Sequence, residues 1–191
     1  MSPTTHSMEH EFTLVLSGIY GTDQLTSKLV DAMFEACGDA ALGMRSGRPF
    51  IDFLREAASL KEAILSAIRD VRAAGLGLDV MRVEWSPVVS QGDIARRIGK
   101  SRQMVHQYIR GVRGPSGFPP SVFESTQGQP LWHWCDVAAW LVEHDMVRPN
   151  VLEDAQAVDT INSVLDYEWK TKHQAALTRE VKSAMREKRI A

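Results

Sequence analysis

The feature that most constrains this chain is the stretch SQGDIARRIGKSRQMVHQYIR at residues 90–110, which reads as two short helices joined by a glycine turn. Ser90 is placed to cap the first helix, and Asp93, three residues on, takes the capping-box position and favours the positive helix end. Ile94 and Ile98 fall on one face of that helix, and Ala95 is small where a second helix has to cross closely. Gly99 supplies a residue that tolerates the left-handed backbone needed to end one helix and turn the chain. Ser101 then caps the second helix, whose Val105 and Tyr108 point back toward Ile94 and Ile98. Together these four apolar residues form the small core of the pair.

The other face of the second helix carries Arg102, Gln103, His106, Gln107 and Arg110, all able to donate hydrogen bonds. Arginine can pair twice with guanine in the major groove and glutamine twice with adenine, while a helix amino end with Ser101 suits a phosphate. Charge is concentrated in the same place. Residues 90–114 hold six Lys or Arg (Arg96, Arg97, Lys100, Arg102, Arg110, Arg113) against one acid, Asp93. Residues 1–89 carry 8 basic and 12 acidic groups, and residues 115–191 carry 8 and 11. A positive patch on an otherwise acidic chain is the electrostatic footprint of a duplex-binding element.

On these residues the stretch resembles the helix-turn-helix of bacterial and phage regulators. The resemblance implies that the helix from Ser101 enters the major groove of double-stranded DNA. Arg102, Gln103, His106 and Gln107 would meet base edges, and Ser101, Arg96, Arg97, Lys100, Arg110 and Arg113 the backbone. A structural helical hairpin with a solvated polar face is the other reading of the same residues.

Around this stretch, 191 residues with 44% hydrophobic and 24% charged side chains suffice for one large or two small cores. Cys37 and Cys135 lie far apart without a CxxC, so neither a disulfide framework nor a zinc ribbon is indicated and a reducing, cytoplasmic setting is expected. The first residues lack the basic start and apolar run of a signal peptide, and no stretch is long enough to span a membrane. Residues 1–10 are expected to be a disordered tail in which His6 and His10 hold no metal.

Residues 11–86 follow the order strand, helix, strand, strand, helix, strand. Phe12, Leu14 and Leu16 alternate with Glu11, Thr13 and Val15 in a first strand buried on one side. Thr22 or Asp23 should cap a helix presenting Leu25, Leu29, Ala32, Met33 and Ala36. Residues 41–44 and 49–53 make a hairpin about Ser46-Gly47, and Ser59 caps a helix that turns Leu60, Ala63, Ile64, Ala67, Ile68 and Val71 inward. A last strand, 78–85, is expected to face Met81 and Val83 to the core and Arg82 and Glu84 to water. This order resembles the ferredoxin-like split βαβ motif. In such modules the sheet's open face is the usual place for a protein partner or small-molecule effector. The motif set contains no RNA-reading aromatic pair, no phosphate-cradling glycine loop and no grouped nucleophile and base. Asp31, Glu35 and Asp39 read as a solvated acidic helix face.

Residues 87–149 form the next domain. After the helical pair, GVRGPSGFPP at 111–120 is a loop by composition. A turn at Gln127-Gly128 separates two strands of a hairpin, and Asp136 is placed to cap a helix carrying Val137, Trp140 and Leu141. The succession of helix-turn-helix, Gly-Phe-Pro, hairpin and a Trp-x-Trp-x-Asp-Val-x-x-Trp-Leu helix resembles the winged-helix domain of MerR-type, AlpA-type and excisionase-like regulators. It implies a hairpin wing near the DNA backbone and tryptophans packed behind the recognition helix. Arg113, Ser116, Ser121 and Thr126 then become candidate phosphate contacts. His133, Cys135 and His144 match no common zinc spacing, so neither metal nor cofactor is expected.

Residues 150–191 hold neither glycine nor proline and carry apolar residues from Val151 to Met185 at three- and four-residue intervals, interrupted at Lys172 and His173. One long helix or a helical pair is implied, its stripe suited to burial against its own chain or against a second copy, the latter in keeping with paired half-sites. The chain as a whole is thus expected to be α+β and non-enzymatic, a sequence-specific double-stranded DNA-binding protein, most simply a homodimeric transcriptional regulator. An excisionase-like architectural factor, an antitoxin or defence-type complex subunit and a small-molecule sensor remain alternatives.

Overall fold

A computed structural model describes residues 7–19 and 24–187. The protein is α+β, with two antiparallel sheets and seven helices among the described residues. It divides into two compact units, one drawn from Met1–Glu84 and Thr160–Ala191, the other from Trp85–Asp159. No described helix is long and apolar enough to cross a membrane.

The first unit contains β1 (Met8–Ser17), α1 (Ser27–Cys37), β2 (Ala40–Arg45), β3 (Arg48–Ala57), α2 (Leu60–Ala73) and β4 (Asp79–Val83). The strands lie in the order β2-β3-β1-β4, every neighbouring pair antiparallel. Alternation drives this arrangement. Phe12, Leu14 and Leu16 of β1 and Ile51 and Phe53 of β3 are buried on one face, with Phe12 paired to and stacked on Phe53 at 5.3 Å. Against that face α2 turns Ala63, Ile64, Ala67, Ile68 and Val71, and its cap is Ser59, which accepts from the Glu62 amide at 3.2 Å. Ser46 and Gly47 both have positive φ (51° and 76°), the two-residue turn that fits the twist of a hairpin closed by Arg45 and Arg48.

Four expectations are corrected here. Residues 8–10, assigned to the tail, extend β1, where Met8 faces Ala57; residues 1–6 lie outside the described residues. Thr22 and Asp23 also lie outside them, and α1 is capped by Thr26, whose hydroxyl accepts from the Leu29 amide at 3.3 Å. That start turns Met33 fully inward and leaves Ala36 exposed. In β4 the inward residues are Val80 and Val83, while Met81 is only half-buried. The register explains the change, because Val15 pairs with Arg82 and Leu16 with Val80, so Met81 is the extra residue of a bulge.

Asp39 is the fourth. It lies beyond the end of α1 and does not continue a solvated acidic face. Both its oxygens accept from Arg55, from Nε and Nη2 at 2.7 Å each. Arg55 is buried on β3, and its Nη1 also donates to Asp70 at 2.7 Å and to the Ser66 hydroxyl at 2.9 Å. The Asp39 and Asp70 carboxylates raise the Arg55 pKa against the opposing effect of burial. Three elements, β3, the α1–β2 junction and α2, are thereby tied through one guanidinium.

The second unit contains β5 (Val88–Ser90), α3 (Gln91–Arg97), α4 (Arg102–Ile109), β6 (Phe123–Glu124), β7 (Pro130–His133) and α5 (Trp134–Glu143). Its sheet runs β5-β7-β6, so the hairpin has a third strand that the sequence does not announce. Residues 88–90 are too few for a visible alternation, yet Val89 is buried opposite Trp132. α5 begins at Trp134, earlier than a cap at Asp136 would allow. β7 runs straight into it, the Trp134 amide donates to the Pro87 carbonyl at 2.7 Å, and Asp136 sits in the first turn.

α6 (Asn150–His173) and α7 (Ala175–Glu187) complete the chain, separated at Gln174, one residue past the expected interruption. Ala155 and Val158 are buried in the early part of α6, and Ile161 and Leu165 in the later part. There the Asn162 side chain accepts from the Val83 amide at 2.7 Å and donates to the Val83 carbonyl at 3.2 Å, capping the end of β4 as another strand would. Ion pairs Arg72–Glu168 and Lys172–Asp79, at 2.6 and 2.7 Å, flank this contact. On α7, Leu177, Val181 and Met185 are exposed.

Candidate nucleic-acid interface

The geometry of α3 and α4 begins with their caps. Ser90 Oγ accepts from the Asp93 amide at 3.2 Å while the Asp93 carboxylate accepts from the Ser90 amide at 2.9 Å, so both halves of a capping box are present. Those bonds from Ser90 hold the Asp93 carboxyl below its ordinary value. Gly99 has φ 63°, and the Lys100 amide returns to the Ala95 carbonyl at 3.0 Å, closing α3 in the manner of a left-handed C-terminal cap. Ser101 Oγ accepts from the Met104 amide at 3.2 Å and starts α4. The turn is braced once more where the Gln91 amide group donates to the Arg102 carbonyl at 2.8 Å.

With the turn so fixed, Ile94, Ala95, Val105 and Tyr108 are buried together, and Ile98 packs half-buried against them. The opposite face of α4 is open. Arg102, Gln103, His106 and Arg110 are exposed, and Gln107 is half-buried, its carbonyl accepting from the Val112 and Arg113 amides at 3.0 and 3.4 Å. Ser101, Lys100, Arg113 and Ser116 are exposed as well. Arg96 is exposed and bonded to Asp93 on its own helix. One surface thus gathers a row of donors with no acidic side chain along α4.

Arg97 is placed differently. Its guanidinium lies 4.4 Å from the Trp85 ring and 4.7 Å from the Trp134 ring, and Nη2 donates to the Ser86 carbonyl at 2.9 Å. Burial lowers its pKa, but guanidinium remains a cation in proteins. The structure therefore gives Arg97 a packing role between two indoles and separates it from the open row on α4. Its place in a run of basic residues conceals this. The signal that finds it is its pairing with tryptophans at 85 and 134, which lie far away in sequence.

Behind α4 stands an aromatic wall. Trp140 packs 5.8 Å from Tyr108 and 5.0 Å from Phe118, whose edge also meets Trp132 at 6.0 Å. The Trp132 indole N–H donates to the Pro119 carbonyl at 3.1 Å and that of Trp140 to the Ser116 carbonyl at 3.0 Å. These bonds fasten the 111–120 loop and so fix the backbone that carries Ser116. The hairpin turn is set by the Ser125 hydroxyl, which accepts from the amides of Gln127 and Gln129 at 3.3 and 3.1 Å. Ser121, Phe123, Glu124 and Thr126 are exposed along it.

Among the described residues no group of three or more His, Cys, Asp or Glu is arranged to hold a metal. His133 lies 3.8 Å from Asp159, the His144 ring nitrogen is 2.7 Å from the Trp140 carbonyl, and burial raises the Cys135 thiol. No family model, curated protein or solved structure matches this chain.

Proposed function

We propose that this protein binds double-stranded DNA in a sequence-specific manner as a homodimeric transcriptional regulator, with α4 seated in the major groove. The observation that carries the reading is the open row of Arg102, Gln103, His106 and Arg110 on a short helix whose position is fixed by two side-chain caps and a left-handed turn. A rigid support is what base reading requires, because bidentate bonds to a base edge tolerate little displacement. In this reading the second unit is a winged helix-turn-helix domain, β6 and β7 forming the wing, and the first is ferredoxin-like, its strand order β2-β3-β1-β4 supporting that assignment. Arg102, Gln103, His106 and Gln107 read bases, while Ser101, Arg96, Lys100, Arg110, Arg113 and Ser116 hold backbone. Arg97 supports the fold beneath them. The exposed Leu177, Val181 and Met185 of α7 supply a surface for a second copy. The protein so read is cytoplasmic and acts without a cofactor.

Arg102→Ala and Gln103→Ala should each weaken binding to the preferred site by about 1–3 kcal/mol and relax discrimination at one base pair. Fluorescence anisotropy on the preferred duplex and its single-base variants measures both effects. Unchanged affinity and unchanged discrimination in both variants would contradict the assignment of α4 as the reading helix.

A further inference from the structure

We propose that the open face of the first unit's sheet holds a site for a compact phosphorylated small molecule, with Arg45, Arg48 and Arg82 as the groups that grip its phosphate oxygens. This inference stands on other residues than the DNA reading and does not depend on it.

The site follows from the register. Gly43, Phe50, Val15 and Arg82 face one another in a single row across β2, β3, β1 and β4. A Cβ at Gly43 would come within 2.6 Å of the Phe50 ring, whose far edge lies against this position of β2, so only glycine leaves the ring its place. Arg45 extends across that ring, its guanidinium 4.5 Å from the centroid, and meets both oxygens of Glu84 at 2.9 and 3.1 Å. The strap so formed borders a hollow of about 210 Å³ whose lining includes Val15, Phe50, Glu84 and the three arginines.

Charge decides what the hollow takes. Three guanidinium groups and one carboxylate line it, inside a segment that is otherwise acidic. Glu84 is engaged by Arg45. Arg48 Nη1 donates to the Met81 sulfur at 3.3 Å, a weak acceptor, and Arg82 makes no ion pair among the described residues. Gathering like charges around one space is unfavourable, and a multivalent anion relieves the repulsion. Guanidinium forks match phosphate oxygens two at a time, which favours phosphate over a lone carboxylate. Size narrows the class further. A volume of 210 Å³ falls below the roughly 300–1,000 Å³ of drug-sized ligand sites, so a dinucleotide is too large whereas a pyrophosphate or short phosphate ester fits. The Val15 and Phe50 floor is apolar and suits the carbon part of such an ester.

The test is isothermal titration of the full chain with pyrophosphate at constant ionic strength, for the native sequence and for Arg48→Gln, Arg82→Gln and, as a control, Arg102→Gln. Saturable binding is expected, weakened about tenfold or more by either of the first two substitutions and unaltered by the third. Absence of saturable binding to the native chain, or binding that Arg48→Gln and Arg82→Gln leave intact, would overturn the proposal. A competition arm separates the two sources of phosphate. Failure of a mixed-sequence single-stranded oligonucleotide, at equal phosphate concentration, to displace pyrophosphate supports a small-molecule site. Displacement that Arg82→Gln abolishes assigns the phosphate to a nucleic acid and overturns it.

Discussion

Trp134→Ala should destabilise the second unit by about 3–5 kcal/mol, the range for truncating a large buried aromatic. Trp134 is 2% exposed and stands where β7 becomes α5, so its removal opens a void beside Val137, Ala138 and Leu141. A second consequence follows from Arg97, which loses one of the two indole faces that compensate its desolvation. The Trp134 indole N–H is buried and has no partner, so Trp134→Phe forfeits no hydrogen bond and should cost much less than alanine. Urea unfolding followed by circular dichroism resolves the two variants. A loss below about 1 kcal/mol for alanine would show that the unit does not depend on this packing.

Arg55→Ala should cost the first unit about 3 kcal/mol, at the lower end of what breaking a buried ion pair costs, because Asp39 and Asp70 retain some solvent. The guanidinium serves two carboxylates and a hydroxyl at once, a fork that lysine cannot reproduce, so Arg55→Lys should recover only part of the loss. Hydrogen exchange of the β3 and α2 amides gives a local reading. Unaltered protection in Arg55→Ala would mean that the sheet and helices hold without this junction.

What could be read from sequence was local. The caps at Ser59, Ser90 and Ser101, the hairpin turn at Ser46-Gly47 and the inward face of α2 each follow from residues within one or two turns of each other. What escaped was set by partners distant in the chain. Arg55 takes its role from Asp39 and Asp70, Arg97 from Trp85 and Trp134, and the short strand β5 from Trp132, none of them marked by a periodicity. The bulge at Met81 likewise arises from pairing with β1, and it leaves half-buried a residue that strand alternation faced to the core. In the candidate interface the exposed row on α4 was legible because a helix separates its faces by spacing alone. The seating of Arg97 between Trp85 and Trp134 was not, since contact with two indoles overrides a basic residue's usual preference for water.

Selection of the full-length protein against a pool of random duplexes, at about 50 and 200 mM salt, tests the central claim most directly. The account predicts an enriched, inverted-repeat motif whose half-sites lie about one helical turn apart and whose affinity falls steeply with salt. Recovery of no motif, with no retention even at the lower salt, would contradict it.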